Sequence, residues 1–181
     1  MDDQAPPITT DEQVLAYANP YLSVYDDRVR LPDGTPGRYL RIVERDGMPG
    51  VAALALHAGR IALVKVFRYP IGSWEWGIPR GFAHSADPVE SLTAELLEEL
   101  GAVPARIEPL VVVTPNSGIL ASRVHIFLAH YEQASEQPID VGEVGEVRWP
   151  TLTALAAEVA GGGIQDAFTL AALGAYYARG L

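Results

Sequence analysis

The sequence contains no cysteine. Disulfides, thiolate nucleophiles and cysteine-based zinc sites are therefore excluded, and the composition fits a reducing, cytoplasmic setting. Basic residues are scarce as well. Thirteen Lys and Arg stand against 23 Asp and Glu, a formal net charge of -10. Such a chain repels bare phosphate backbones, and no basic stripe relieves the repulsion, so no nucleic-acid partner is expected. No apolar run is long enough to span a bilayer, and Lys65 and Arg68 close the most apolar stretch. The opening residues, Met1 to Glu12, are acidic and lack the apolar segment of a secretory leader. A chain with no membrane partner is expected. Internal repeats, low-complexity tracts and linkers are also missing.

What remains is ordinary globular material: 181 residues, 49% hydrophobic and 20% charged, enough for one domain with a proper core. Residues 1–20 are polar, carry Pro6, Pro7 and Pro20, and read as a flexible N-terminal arm. A hairpin follows, Tyr21 to Leu31 and Tyr39 to Val43, around the turn Pro32-Asp33-Gly34-Thr35-Pro36-Gly37. Val51 to Leu56 and Ile61 to Phe67 read as strands joined at His57-Ala58-Gly59-Arg60. Pro70 to Phe82 reads as an aromatic, glycine-containing loop region. Ile107 to Val113, Arg123 to His130 and Glu146 to Trp149 are further strand candidates. Helices are expected at Thr151 to Ala160 and Asp166 to Ala178, the second capped by Asp166. Strands interspersed with helices imply an α/β protein, a mixed sheet covered by helices.

The most informative helix begins at Asp87-Pro88-Val89-Glu90. Asp87 can accept a bond from a free first-turn N–H group, Pro88 suits the first helical position, and Glu90 sits three residues in. Leu92, Leu96 and Leu100 form an apolar stripe with Leu97 beside it, and Gly101 suits the left-handed position that ends a helix. Glu95, Glu98 and Glu99 converge on the face opposite the leucines. Such like-charge pairs destabilise a helix by roughly 0.2–0.5 kcal/mol each. These also lie toward the C-terminal end, where the macrodipole disfavours anions. A bound divalent cation removes that conflict, and magnesium prefers carboxylate, water and phosphate oxygens. The plain alternative is a solvated acidic face on an interaction scaffold.

The run Gly77-Ile78-Pro79-Arg80-Gly81, then a loop, then Glu95-Leu96-Leu97-Glu98-Glu99-Leu100-Gly101-Ala102 resembles the Nudix box, Gly-x5-Glu-x7-Arg-Glu-U-x-Glu-Glu-x-Gly-U, with U aliphatic. Glu95, Leu96, Glu98, Glu99, Gly101 and Ala102 fall at the expected spacing. Gly81 is one residue too close, the first Glu of the box falls on Ala86, and its Arg falls on Ala94. Residues outside the box look most like the ADP-ribose pyrophosphatase branch of the Nudix hydrolases. These are Leu63 to Pro70, Trp76 to Gly81 (with Gly77 in place of a Glu), Thr114-Pro115 with Gly118, and Gly163 to Thr169.

The resemblance implies a Nudix-type α/β/α sandwich with a mixed β-sheet and an N-terminal β-hairpin extension. It divides the chain into the arm and one domain over 21–181, with the extension at 21–46 and the box loop and helix at 81–102. It implies a magnesium-dependent hydrolase, manganese being able to replace magnesium, that cleaves the pyrophosphate of a nucleoside diphosphate joined to another moiety. ADP-ribose or a nucleotide sugar is the expected small-molecule partner. Glu95, Glu98 and Glu99 would hold the metal, with the Arg80 carbonyl as a further ligand. Glu98, Glu99 and Glu143 would do the chemistry, Glu143 being preferred to Glu146 as a late-loop base. Arg68, Arg80 and Trp76 would bind substrate; Phe67, Tyr69 and Trp74 are further stacking candidates, or core and interface residues. The hairpin extension implies a homodimer. Ala86, Ala94 and Gly77 keep open a second reading, a nucleotide-binding module with little or no turnover.

Overall fold

A computed structural model describes residues 6–134 and 144–181, and the chain divides into two compact units. The first holds the residues up to Met48 together with Asn116–Ser122; the second holds Pro49–Pro115 and Arg123–Leu181.

In the first unit the strands are β1 (Thr9–Glu12), β2 (Leu15–Ala18), β3 (Leu22–Arg30) and β4 (Pro36–Glu44). The expected hairpin is β3–β4, paired from Leu22↔Glu44 to Arg30↔Pro36. Asp33 accepts the Thr35 N–H in its turn, and Gly34 takes φ +83°, which glycine adopts without strain. The structure departs from the sequence reading before residue 20, where β1 and β2 pair with successive halves of the free edge of β3. All eight residues of these two strands are exposed, so no buried alternation marks them in the sequence. On β3, Asp27 is buried and held by Arg41 Nε at 2.9 Å, while the Arg41 guanidinium lies 4.3 Å over the Tyr25 ring.

The larger unit is organised by β5 (Gly50–His57). Val51, Ala52, Ala53, Leu54 and Ala55 are all fully buried, so both faces of this strand are covered. Its neighbours are β6 (Arg60–Ile61), β9 (Arg80–Phe82) and β11 (Val124–His130); β11 runs parallel to it and pairs on its other edge with antiparallel β10 (Arg106–Val113). A second sheet has the order β12–β7–β8, formed by Val144–Arg148, Leu63–Arg68 and Ser73–Gly77. The turn expected at His57–Arg60 joins β5 to β6, with positive φ at Ala58 and Gly59. Strand β8 lies in the stretch read as loop, where Gly72 and Gly77 bracket two tryptophans and obscure the alternation.

Among the described residues three helices complete the unit: α1 (Pro88–Leu100), α2 (Leu152–Ala160) and α3 (Ala167–Ala178). Ala52 and Leu54 join a core with Leu110, Ile126, Leu128, Leu155, Ala172 and Leu173, which includes the apolar faces of α2 and α3. The alternate residues of β5 face the other way, toward the side on which α1 packs. Helices thus cover both faces of a mixed sheet, as expected for this α/β class. Helix α1 forms as its sequence predicts. Asp87 Oδ1 accepts the Val89 N–H at 2.8 Å, Pro88 follows, and Gly101 closes at φ +71°. Leu92, Leu96 and Leu100 are fully buried, each burial contributing roughly 1.5–3 kcal/mol. Leu97 is exposed rather than part of that stripe.

Candidate active site

Burying the leucine stripe of α1 turns its acidic face outward, along β9. Glu99 Oε2 accepts the backbone N–H of Arg80 at 3.1 Å. One turn earlier, Glu95 lies over Gly81, where an added Cβ would come 2.1 Å from the Glu95 carboxyl carbon. Both glutamates are half-buried, and Glu98 beside them is exposed. The loop between β9 and α1 is fixed by Ser91, whose buried hydroxyl accepts the N–H groups of His84 and Ser85 at 3.2 Å each. Near the other end of the helix is Tyr131. Burial, and then the charge of Glu99, push its phenol above the ordinary tyrosine range, so it stays neutral and donates to the Ala102 carbonyl.

The described residues contain no three acidic or histidine side chains gathered closely enough to form a closed metal cage. A magnesium site needs none. That ion keeps several waters and takes one or two protein carboxylates plus substrate phosphates. Glu95 and Glu99, half-buried one helical turn apart against a backbone strand with Glu98 beside them, are hard oxygen donors of that kind, so the residues present fit such an ion.

A second cluster lies on β7, β8 and β9. In the β7–β8 register Lys65 pairs with Trp76, Val66 with Glu75, and Arg68 with Ser73. Alternation therefore places Glu75 and Arg68 on one face and Trp76 with Lys65 on the other. Glu75 Oε2 is 3.6 Å from Arg68 Nε and 3.8 Å from Arg80 Nη2. Arg80 Nη2 also meets Asp166 Oδ1 at 3.0 Å. Burial pushes the Arg80 guanidinium below its ordinary value and Arg68 adds to this, while Asp166, Glu75 and Glu99 oppose. Arginine remains charged at neutral pH nonetheless. Arg68 Nε is buried and has no hydrogen-bond partner among the described residues.

The structure thus brings together Glu95, Glu99 and Arg80, and links Arg80 to Arg68 through Glu75. Trp76 stands apart from them. Its ring carries the Arg148 guanidinium at 4.2 Å and Lys65 Nζ at 5.6 Å. Phe67 and Trp74 pack edge to face with each other on that same side. Glu143 lies outside the described residues. Glu146, the other late-loop carboxylate, is on β12 and paired with Lys65 at 2.7 Å. Two site residues escaped the sequence reading, Glu75 and the pairing role of Asp166. Their signal was Gly77 at a position where the resembling pattern has a glutamate. Two residues earlier on the same strand face, Glu75 supplies a carboxylate, and the space above Gly77 holds that of Asp166.

Comparison with known proteins bears on the fold and the family. A solved structure described as an ADP compounds hydrolase superposes with a TM-score of 0.82, covering 98% of this chain and 96% of that one at 18% identity, which shows the fold. A CMP-5'-(N-acetyl-N-hydroxy-3-aminopropyl)phosphonate hydrolase from Streptomyces rubellomurinus is 29% identical over 107 residues, 58% of this chain. The match spans about half, 52%, of that relative's length. An ADP-ribose pyrophosphatase from Bacillus subtilis is 28% identical over 139 residues, 75% of this chain and 74% of the relative. The NUDIX domain family model matches residues 47–169, which include β5, the β9 strand and all of α1, and the chain belongs to that family.

Proposed function

We propose that the protein is a Nudix pyrophosphohydrolase that cleaves a diphosphate linking a nucleoside to a second moiety, with ADP-ribose or a nucleotide sugar as substrate. The observation that carries this reading is the placement of Glu95 and Glu99 against β9, with the Arg80 N–H holding Glu99 at 3.1 Å. The relatives act in name on ADP-ribose and on a CMP-linked phosphonate, both nucleotide conjugates. A divalent ion, magnesium or manganese, held by Glu95, Glu98 and Glu99 would supply charge neutralisation and polarise phosphorus. Arg68, whose side chain stays partly exposed while it pairs with Glu75, is suited to clamp a phosphate oxygen, and Arg80 lies beside it across Glu75. Water adds to one phosphorus, its proton passes to a carboxylate, and the bridging oxygen leaves with the other phosphate. Glu98, exposed beside Glu99, and Glu143 are the carboxylates proposed for that proton. Stacking of a base on Trp76 requires Arg148 to leave the ring.

The test is turnover of purified protein on ADP-ribose and a panel of nucleotide sugars, with and without magnesium, beside Glu99→Gln. Magnesium-dependent cleavage that collapses in the variant is expected. Ala86 and Ala94 at two box positions favour a second reading, a module that binds nucleotide without turning it over. Its outcome is distinct: no cleavage of any panel member, with ADP-ribose still raising the melting temperature. We also propose a homodimer, from the resemblance of the β3–β4 hairpin to the dimerising extension. Light scattering behind size exclusion is expected to give twice the 19.5 kDa chain mass, and a monomer would remove the claim.

A further inference from the structure

We propose that Asp166, acting through the Arg80 side chain, is a positioning residue for Glu99. It would fix the β9 backbone whose N–H holds that carboxylate. The proposal rests on the hydrolase reading above only in taking Glu99 as a working residue.

Asp166 makes more bonds than a helix cap requires. Its Oδ2 accepts the Thr169 N–H at 2.9 Å and the Thr169 hydroxyl at 2.7 Å, which is the cap of α3. Its Oδ1 is left for Arg80 Nη2 at 3.0 Å. Asp166 is only 3% exposed, so its polar oxygens need protein partners in place of water. Arg80 is held from the same helix turn a second time, because its guanidinium lies 4.5 Å over the Phe168 ring.

The segment before β9 is tied to the same point. Thr169 Oγ1, while donating to Asp166, accepts the Ile78 N–H at 2.9 Å. Ile78 and Arg80 are therefore both moored to the start of α3, one through Thr169 and the other through Asp166. Gly77 makes this approach possible. A Cβ there would lie 3.0 Å from the Asp166 carboxyl carbon and Oδ2. From the moored strand, the Arg80 N–H reaches Glu99, and Gly81 makes room for Glu95.

The experiment compares Asp166→Asn, Arg80→Lys, Arg80→Met and Glu99→Ala in the full chain. Asparagine keeps the volume and the capping oxygen but removes the charge. Three quantities are read: the denaturation midpoint, Mn2+ affinity by titration calorimetry, and kcat and KM on ADP-ribose. We expect Asp166→Asn to fold, to weaken Mn2+ binding and to lower kcat by roughly ten- to hundredfold, with KM little changed. Arg80→Met should show at least that loss of Mn2+ affinity and kcat, the Asp166→Asn/Arg80→Met double variant should be no worse than Arg80→Met alone, and Arg80→Lys should recover most of the loss. Unchanged Mn2+ affinity and kcat in Asp166→Asn overturn the proposal. So does a rise in KM confined to the Arg80 variants, which would make Arg80 a substrate contact only. A wild-type protein that neither binds Mn2+ nor turns over would sink the hydrolase reading instead. Midpoint shifts of Asp166→Asn, Glu99→Ala and the variant carrying both then still decide: non-additive shifts support the positioning, and additive ones end it.

Discussion

At the scale of single residues, Gly81 offers a way to separate function from stability. Its φ is not among the positive values, so alanine suits the backbone. The added Cβ would instead meet the flexible end of Glu95 at 2.1 Å, and that side chain must swing away. Gly81→Ala is therefore expected to leave the melting temperature nearly unchanged. It should lower kcat/KM for ADP-ribose on the order of ten- to a hundredfold, because misplacement by about an ångström has that effect on a reacting group. A large loss of stability with full activity in the remaining folded protein would show that Glu95 is idle. The sequence reveals the three glutamates of α1 because helical spacing is local: positions three and four apart must share a face. It hides the tie of Arg80 to Asp166 because that contact is not local. Ile78 and Thr169 are 91 positions apart, and no pattern within a window reports that they touch. Trp76 shows the limit from the other side. An aromatic near two arginines in sequence lies on the opposite face of β8 from Glu75, since alternation separates neighbours.

At the scale of elements, what was legible follows the strength of the local signal. Helix α1 has a cap, a proline, a leucine stripe and a closing glycine, all pointing to one answer, and its bounds match the sequence reading. Strands β1 and β2 carry no such agreement because neither face is buried. The two signals on α1 also differ in weight. Asp87→Ala removes one side-chain bond at an exposed helix start and should cost about 0.5–2 kcal/mol. Leu96→Ala empties a fully buried site and should cost about 2–5 kcal/mol. Urea unfolding of the two variants measures both. The reverse order would mean that the helix is held by its cap rather than by its packing, and that the acidic face is carried on a mobile element.

At the scale of the whole molecule, charge decides what ligand is admissible. With 23 acidic against 13 basic residues, the chain is a poor partner for a diphosphate on its own. A bound divalent cation inverts the local sign, and anion and metal then bind together. This has a thermal signature. A cation that binds only the folded chain stabilises it by about 2.7 kcal/mol at a hundred times its Kd, roughly 5–10 °C in Tm for a chain of this size. Magnesium chloride is therefore expected to raise Tm by several degrees, and Glu99→Gln to remove most of that rise. The control is sodium chloride at matched ionic strength, because mere screening of a charge of -10 also stabilises an acidic protein. If the two salts shift wild type equally, the carboxylates of α1 are a solvated face and the cation has no site there. If magnesium alone acts, and acts through Glu99, the electrostatic conflict written into the helix is resolved by the ion that the proposed chemistry requires.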